Sequence, residues 1–191
     1  FTAGGEIIIN GGEFKGQVWM QGTGSGSSSL TINGGEFAPT AGYDGSSIYI
    51  TNNTNDINVA VNGGFFNTKI GCSDVTKEGV KGSIVGGTFT TAAKDNTNVA
   101  LLADEYGFEE NEDGNWDVVK YYVKGGDKFY STINKALAEN NEIELIDNIE
   151  NAEPVVITAN SEVKIDLKEY NISAVDTTQK NYELIKNQGK L

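Results

Sequence analysis

The hexapeptide Ile9-Asn10-Gly11-Gly12-Glu13-Phe14 recurs as Ile32-Asn33-Gly34-Gly35-Glu36-Phe37, again as Val61-Asn62-Gly63-Gly64-Phe65-Phe66, and in weaker form as Ile84-Val85-Gly86-Gly87-Thr88-Phe89. Successive copies are offset by 23, 29 and 23 residues. Self-similarity at such a period marks a repeat architecture. Two equal steps around one longer step suit a coil that tolerates a loop insertion.

Each copy has the same anatomy. A strand of period two leads in, as Glu6-Ile7-Ile8-Ile9, Ser29-Leu30-Thr31-Ile32, Asn58-Val59-Ala60-Val61 and Gly82-Ser83-Ile84. A Gly-Gly corner follows, which permits positive φ and a sharp bend, and a Phe stands two positions beyond it. A further strand comes next, Gln17-Val18-Trp19-Met20 in the first copy and Ser47-Ile48-Tyr49-Ile50 in the second. Asn-Gly between apolar strands is also a hairpin signal, but a hairpin does not use the second glycine of each pair. Stacked coils do. In a parallel β-helix equivalent positions lie about 4.8 Å apart, which predicts one buried column of Phe14, Phe37, Phe66 and Phe89 beside an aliphatic column of Ile9, Ile32, Val61 and Ile84. A β-sandwich of short strands is the competing architecture.

Composition divides the chain. Residues 1–100 hold 8 acids and 5 lysines, whereas residues 101–191 hold 19 acids and 9 lysines; 19 of the 24 glycines lie at or before Gly87. The expected domains are therefore 1–119, the Gly-Gly-x-Phe repeats with a closing hairpin, and 120–191, the start of a second β-helix. The hairpin is expected from the run Val99–Phe108 through a turn at Asp113-Gly114 to Trp116-Asp117-Val118-Val119. Apolar residues at Phe129, Tyr130, Ile133, Ala136 and Leu137 have helical spacing and predict a short capping helix near 129–138. Strands are expected to resume at Ile143–Ile146, Val155–Ile157, Val163–Leu167 and Tyr170–Ile172. The chain opens at Phe1 and stops at Gly189-Lys190-Leu191, where an apolar strand is starting, so it is expected to be an excerpt truncated within its second domain.

The amino-acid inventory removes whole classes of chemistry. The net charge is −13, all 14 positive residues are Lys, and Arg and His are absent. Without imidazole there is no Ser-His-Asp or Cys-His nucleophile and no His-ligated zinc. Without Arg there is no bidentate phosphate clamp, and the net charge repels nucleic acid and anionic membranes. The single Cys72 cannot form an intrachain disulfide and is expected to serve as a small buried hydrophobe. No apolar run approaches the ~20 residues of a membrane span.

The order of the second half, an amphipathic helix and then Ile143-Glu144-Leu145-Ile146 and Val163-Lys164-Ile165-Asp166-Leu167, resembles the opening of a right-handed β-helix of the pectin-lyase-like superfamily, where a helix plugs the first coil. The Gly-Gly-x-Phe repeat is similar to β-helical repeats of large surface proteins of gut bacteria and of some phage structural proteins. The resemblance implies an all-β, right-handed parallel β-helix with one short capping helix. It also raises polysaccharide chemistry: a basic residue beside calcium-holding acids in lyases, clustered aspartates in hydrolases. Here no Arg base is available and Asp44, Asp56, Asp74 and Asp95 stand singly. Glu13 and Glu36 stack at one rung spacing but follow identical corners, so neither is set apart as acid or base. Glu109, Asn111, Asp113, Gly114, Asn115 and Asp117 partly match a calcium loop, but Lys120 stands where a bidentate Glu belongs, and a hairpin turn accounts for Asp113-Gly114.

The expected function is therefore non-enzymatic: a structural or attachment protein outside the cell, on a cell or virion surface. Catalytic, metal and cofactor residues are none. The alternative is a polysaccharide lyase or glycoside hydrolase of pectin-lyase-like fold. The candidate site is aromatic. With Val18, Met20, Ile48 and Ile50 inward, alternation sends Trp19 and Tyr49 outward, and with Gln17 and Gln21 at the rim they form a strip suited to stacking on sugar rings. A covered cross-rung aromatic pair is the competing reading. The expected partners are a polysaccharide or host-surface glycan and other subunits of a fibre or envelope assembly, with no nucleic acid and no membrane insertion; bacterial adhesin and phage fibre are both open alternatives.

Overall fold

The computed structural model describes residues 5–22, 26–41, 45–52, 56–72, 80–90, 94, 96–159, 161–174 and 184–187; Phe1, Asp44, Asp74, Asp95 and the terminal Gly189-Lys190-Leu191 lie outside them. The described residues are mostly β, and the chain divides into two units, Phe1–Val119 and Lys120–Leu191.

In the first unit each of the first three repeat copies contributes one strand to each of three sheets, and the fourth contributes to two of them. The first copy supplies β1 (Glu6–Ile9), β2 (Glu13–Phe14) and β3 (Val18–Gly22); the second supplies β4 (Ser28–Ile32), β5 (Glu36–Phe37) and β6 (Ile48–Asn52). The third supplies β7 (Ile57–Val61), β8 (Phe65–Phe66) and β9 (Ile70–Cys72), and the fourth β10 (Val80–Ile84) and β11 (Thr88–Phe89). The sheets run β1-β4-β7-β10, β2-β5-β8-β11 and β3-β6-β9, and every pairing among these strands is parallel and in register.

The pairing continues around the corner. Asn33 N donates to Ile9 O at 2.7 Å, Glu36 N to Gly12 O at 2.8 Å and Ala38 N to Phe14 O at 3.0 Å, and the later copies repeat the scheme. The two glycines answer two separate demands. The second has φ of 108° at Gly12, 116° at Gly35, 112° at Gly64 and 106° at Gly87, a conformation unfavourable for any other residue. The first lies under the preceding copy: a Cβ at Gly34 would stand 3.2 Å from Asn10 O, and one at Gly63 2.9 Å from Asn33 O.

Equivalent residues therefore stack. Phe14, Phe37, Phe66 and Phe89 form one column with ring centroids 4.7, 5.0 and 4.6 Å apart and interplanar angles of 4°, 6° and 14°. Phe37, Phe66 and Phe89 are fully buried, whereas Phe14, at the start of the column, is half-buried. Beside them run Ile9-Ile32-Val61-Ile84 from the first sheet and Met20-Ile50-Cys72 from the third. Cys72 packs against the core but is only half-buried, where a buried position was expected.

Three devices close the far end. Helix α1 (Asn96–Leu101) takes the place of a third strand in the fourth copy, and its buried Asn98 accepts a hydrogen bond from Ile70 N at 2.9 Å. Leu101 packs directly on the α-carbon of Gly82, the one copy whose inward position lacks a side chain, and Leu102 bridges to Ile84. Strands β12 (Tyr106–Glu110) and β13 (Trp116–Lys120) extend the second sheet, with β13 antiparallel to β11, and Phe108 meets Phe89 edge-on at 5.5 Å. The hairpin was expected; α1 was not. The expectation of one helix is thus corrected to two among the described residues, neither long and apolar enough to cross a membrane. The acidity is also local: 7 of the 19 acids beyond residue 100 lie between Asp104 and Asp117, on this cap.

The second unit contains β14 (Val123–Gly125), β15 (Lys128–Tyr130), α2 (Ile133–Glu139), β16 (Glu142–Leu145), β17 (Ile149–Ala152), β18 (Val155–Ile157), β19 (Lys164–Asp166), β20 (Ile172–Ala174) and β21 (Ile185–Asn187). Its sheets are β15-β14-β16-β19, β17-β20 and β18-β21, and the last three strands pair in parallel with the three that precede them. Helix α2 buries Ile133 and Ala136 in a core with Val123, Leu145 and Val155. It is capped by Thr132, whose hydroxyl accepts from Lys135 N at 3.2 Å. The expected start at Phe129 is corrected: Lys128–Tyr130 form a strand against β14, because the Gly125-Gly126 turn, with Gly126 at φ 61°, folds the chain back before the helix can begin.

Replacing Phe37 by Ala should cost about 3–5 kcal/mol, since it empties a fully enclosed ring site between two stacked neighbours. Phe14→Ala should cost distinctly less. Equilibrium denaturation of the two variants tests the order, and equal losses would contradict the column as described.

Candidate functional site

The third sheet presents the aromatic strip. Register places Val18 beside Ile48 and Ile70, Trp19 beside Tyr49 and Gly71, and Met20 beside Ile50 and Cys72. Met20, Ile48, Ile50 and Ile70 are fully buried, so the intervening row of Trp19, Tyr49 and Gly71 faces outward.

The row is not a flat two-ring platform. Trp19 is 53% exposed, but Tyr49 is only 6% exposed, which corrects the expectation of two open rings. The rings meet edge-to-face, 5.9 Å apart at 72°. Tyr49 lies over Gly71, where a Cβ would stand 3.1 Å from its Cδ2 atom. Gly71 therefore gives the phenol ring room to lie down, and Trp19 covers its edge. The signal was present in the sequence, because a glycine inside a strand often marks close approach by a neighbour.

The polar rim is engaged as well. The Trp19 indole N–H donates to Thr51 Oγ1 at 3.0 Å, and the Gln17 side chain donates to the Ser46 carbonyl at 2.8 Å. Gln21 is half-buried, in register with Thr51. What the site offers a ligand is a half-exposed indole held at fixed tilt, with Gln17 and Gln21 beside it.

A second outward feature escaped the sequence reading. Asn33 donates from Nδ2 to Asn10 Oδ1 at 2.7 Å, and Asn62 donates to Asn33 Oδ1 at 2.8 Å. These residues form an exposed amide ladder at the entrance to the corner, and the fourth copy, with Val85, ends it. The identical offset before each Gly-Gly pair was its signature.

Several carboxylates are engaged in structural bonds. Asn111 Oδ1 accepts the backbone N–H groups of Asp113 and Asn115, and Asp117 accepts from Thr88 Oγ1 at 2.6 Å and from the Asn111 amide. This is the turn, with the side-chain oxygens of Asn111 and Asp117 bonded to donors. Two carboxylate pairs stand in register on adjacent strands, Glu13 with Glu36 and Glu144 with Asp166. Glu13 is paired with Lys15 at 3.1 Å. Lys168 bridges the second pair at 3.0 Å to Glu144 and 3.2 Å to Asp166. Its ammonium hydrogen bond holds Glu144 below the usual carboxylate range, and its backbone N–H, then its ammonium, do the same to Asp166. Glycoside hydrolysis needs one carboxyl of a pair protonated; this pair is arranged for the opposite.

No protein-family model matches the chain, and comparison with curated proteins and with solved structures returns no match.

The bridged pair predicts a pH response. Glu144, Asp166, Asp147 and Glu139 are lowered by lysine partners, so their contribution is present above the ordinary carboxylate range and is lost as pH falls through their folded values. Lys128 and Lys168 are raised by hydrogen bonds to Glu139 and Glu144, so theirs is present below the ordinary lysine range and is lost as pH rises through their folded values. Melting temperature should be flat between the two ranges and fall on both sides, with both slopes reduced by salt because the pairs are exposed. Lys168→Met should flatten the acid limb; an unchanged limb would contradict the bridge.

Proposed function

We propose that the chain is a stretch of right-handed parallel β-helix, of the pectin-lyase-like kind, and that it serves as a non-enzymatic structural and attachment element on the surface of a cell or virion. The observation that carries this reading is the in-register stacking of four repeat copies through two sheets and their shared corner, and of three copies through a third sheet. A stack whose members contact only their neighbours lengthens by adding copies and makes a stiff spacer. The all-lysine, acidic, Asn/Thr/Ser-rich composition supports solubility in an extracellular setting. Partners on this reading are a polysaccharide or host-surface glycan and other subunits of a fibre or envelope assembly.

Incubation with acidic and neutral polysaccharides separates this reading from a lyase or hydrolase. No release of unsaturated or reducing ends is expected, and reproducible release of either would replace it with the enzymatic one.

Within the attachment role, we assign sugar contact to the exposed part of the Trp19 indole, supported by its 53% exposure and by the hydrogen bond that fixes its tilt. Trp19→Ala should weaken binding to a neutral oligosaccharide by roughly 1–3 kcal/mol in calorimetry. It should also cost about 1 kcal/mol of stability, because it uncovers Tyr49 and removes the bond to Thr51. A stability loss with unchanged sugar binding would mark Trp19 as a packing residue.

A further inference from the structure

The stack of the second unit starts from three strand edges, and among the described residues two of them are covered. Strand β16 is paired on that side by β14. The edge of β18 is met by a side chain: the Asn134 amide of helix α2 donates to Pro154 O at 2.9 Å and accepts from Val156 N at 3.2 Å, while Val155 between them turns to Leu184 O and β21. An amide thus stands where the backbone of a neighbouring strand would lie. Strand β17 has no such cover, since among the described residues it pairs with β20 alone. On the β20 side Ile149 N donates to Asn171 O at 2.9 Å, so strand alternation turns the N–H and C=O of Glu150 to the opposite edge.

That edge borders a cleft. It measures about 230 Å³, below the ~300–1,000 Å³ of a drug-sized pocket, so it suits one side chain rather than a large ligand. Its apolar surface comes from the buried Ile133, Ile149 and Ala152, with the half-buried Tyr122 beside them. Among the described residues that line it only Glu150 and Glu153 are charged, and both are exposed. Neither is bonded to a described lysine, in contrast to Glu139, Glu142, Glu144, Asp147 and Asp166 of the same unit. The cleft therefore makes three demands. Its carboxylates call for a cation, its floor for an apolar stem, and its strand edge for an amide, the group that completes the edge of β18. A lysine residue in an extended chain meets all three.

We propose that this cleft is a docking site for an extended, lysine-bearing segment of a partner protein. The segment adds its backbone to Glu150 as a further strand would, and its lysine stem lies against the apolar floor with the ammonium at Glu150 and Glu153. Main-chain bonds supply affinity in such an arrangement and the side-chain pocket supplies specificity. A second copy of this chain is disfavoured as the occupant, because each copy carries a net charge of −13. The inference stands on the second unit alone and depends neither on the surface role nor on Trp19.

Titration of the full chain with the peptide acetyl-Val-Lys-Val-amide, followed through the backbone amide resonances, tests it. The Glu150 N–H should shift saturably and exchange more slowly, and added salt should weaken the effect. No saturable shift at Glu150 up to millimolar peptide would overturn the proposal. Acetylating the peptide lysine removes the charge, and methylating the peptide backbone nitrogens removes the donors; each change should weaken binding several-fold. An undiminished response to either modified peptide, or an equal response to butylamine alone, would reduce the effect to general charge attraction and overturn the assignment. Glu150→Gln and Glu153→Gln alter exposed side chains and should leave the circular dichroism spectrum unchanged while weakening binding several-fold; unchanged binding would count against the site. Self-association of the chain that excludes the peptide would give the edge to a second copy and overturn the choice of partner.

Discussion

Everything in the first unit follows from the backbone hydrogen bonds that run from each repeat to the next and do not stop at the corner. Asn33, Glu36 and Ala38 donate to Ile9, Gly12 and Phe14, so strand, bend and following strand are all fixed relative to the preceding copy. Parallel pairing in register then forces like onto like about 4.8 Å apart. Side chains that tolerate their own kind at that distance can occupy such a column. Phenyl rings can, when tilted into offset stacks; branched aliphatic residues can; primary amides can, because each has both a donor and an acceptor. Carboxylates cannot do so for long. The column that begins with Glu13 and Glu36 passes to Phe65 and Thr88, and Lys15 stands beside its first member.

A parallel stack has two ends, and an unpaired end is a template for unwanted strands. The far end of the first unit is closed on each face by a different device. The first sheet is covered by Leu101 resting on Gly82, the second by a strand of opposite direction with Phe108 set edge-on to the phenyl column, and the third by the Asn98 side chain in place of a backbone acceptor. Reversing strand direction and turning the last ring both stop the repetition, since no further copy of the hexapeptide can be laid over them in register. The lysine at 94, 3.3 Å from the centre of the Trp116 ring, adds a charge over the cap.

Much of this was legible in the sequence because repetition amplifies weak local signals. A single Gly-Gly is ambiguous between hairpin and corner, but four at matching offsets, each followed by Phe, specify which residues must stack. What was not legible lies where repetition ceases. Helix α1 is written in a loop-like Asn-Thr-Asn segment and exists because Asn98 and Leu101 have specific atoms to meet. The apolar spacing from Phe129 to Leu137 fits a helix throughout, yet a glycine turn takes Lys128–Tyr130 into a hairpin and leaves the helix to begin after Thr132. Alternation gave the direction of Tyr49 correctly but not its burial, since burial depended on Gly71 one copy further on.

The division of labour between columns bears on where function can sit. Inward and corner positions are constrained by every neighbour above and below, so their chemistry is repeated and apolar or amide. Outward positions on the strands are constrained only by their flanks, and it is there that the copies diverge: Trp19, Tyr49 and Gly71 in one row, Glu6, Ser29, Asn58 and Lys81 in another. The second unit shows what such a face does when charged. Lys124, Glu144 and Asp166 face one another across three strands, and Lys168 closes the row by binding both acids. Charges spent on one another are poor proton donors and weak attractors of ions, but they fix side chains in place. On such faces the groups available for recognition are those with surface left over after their own bonds are made, and in the first unit Trp19 keeps half of its surface exposed with its N–H bonded to Thr51.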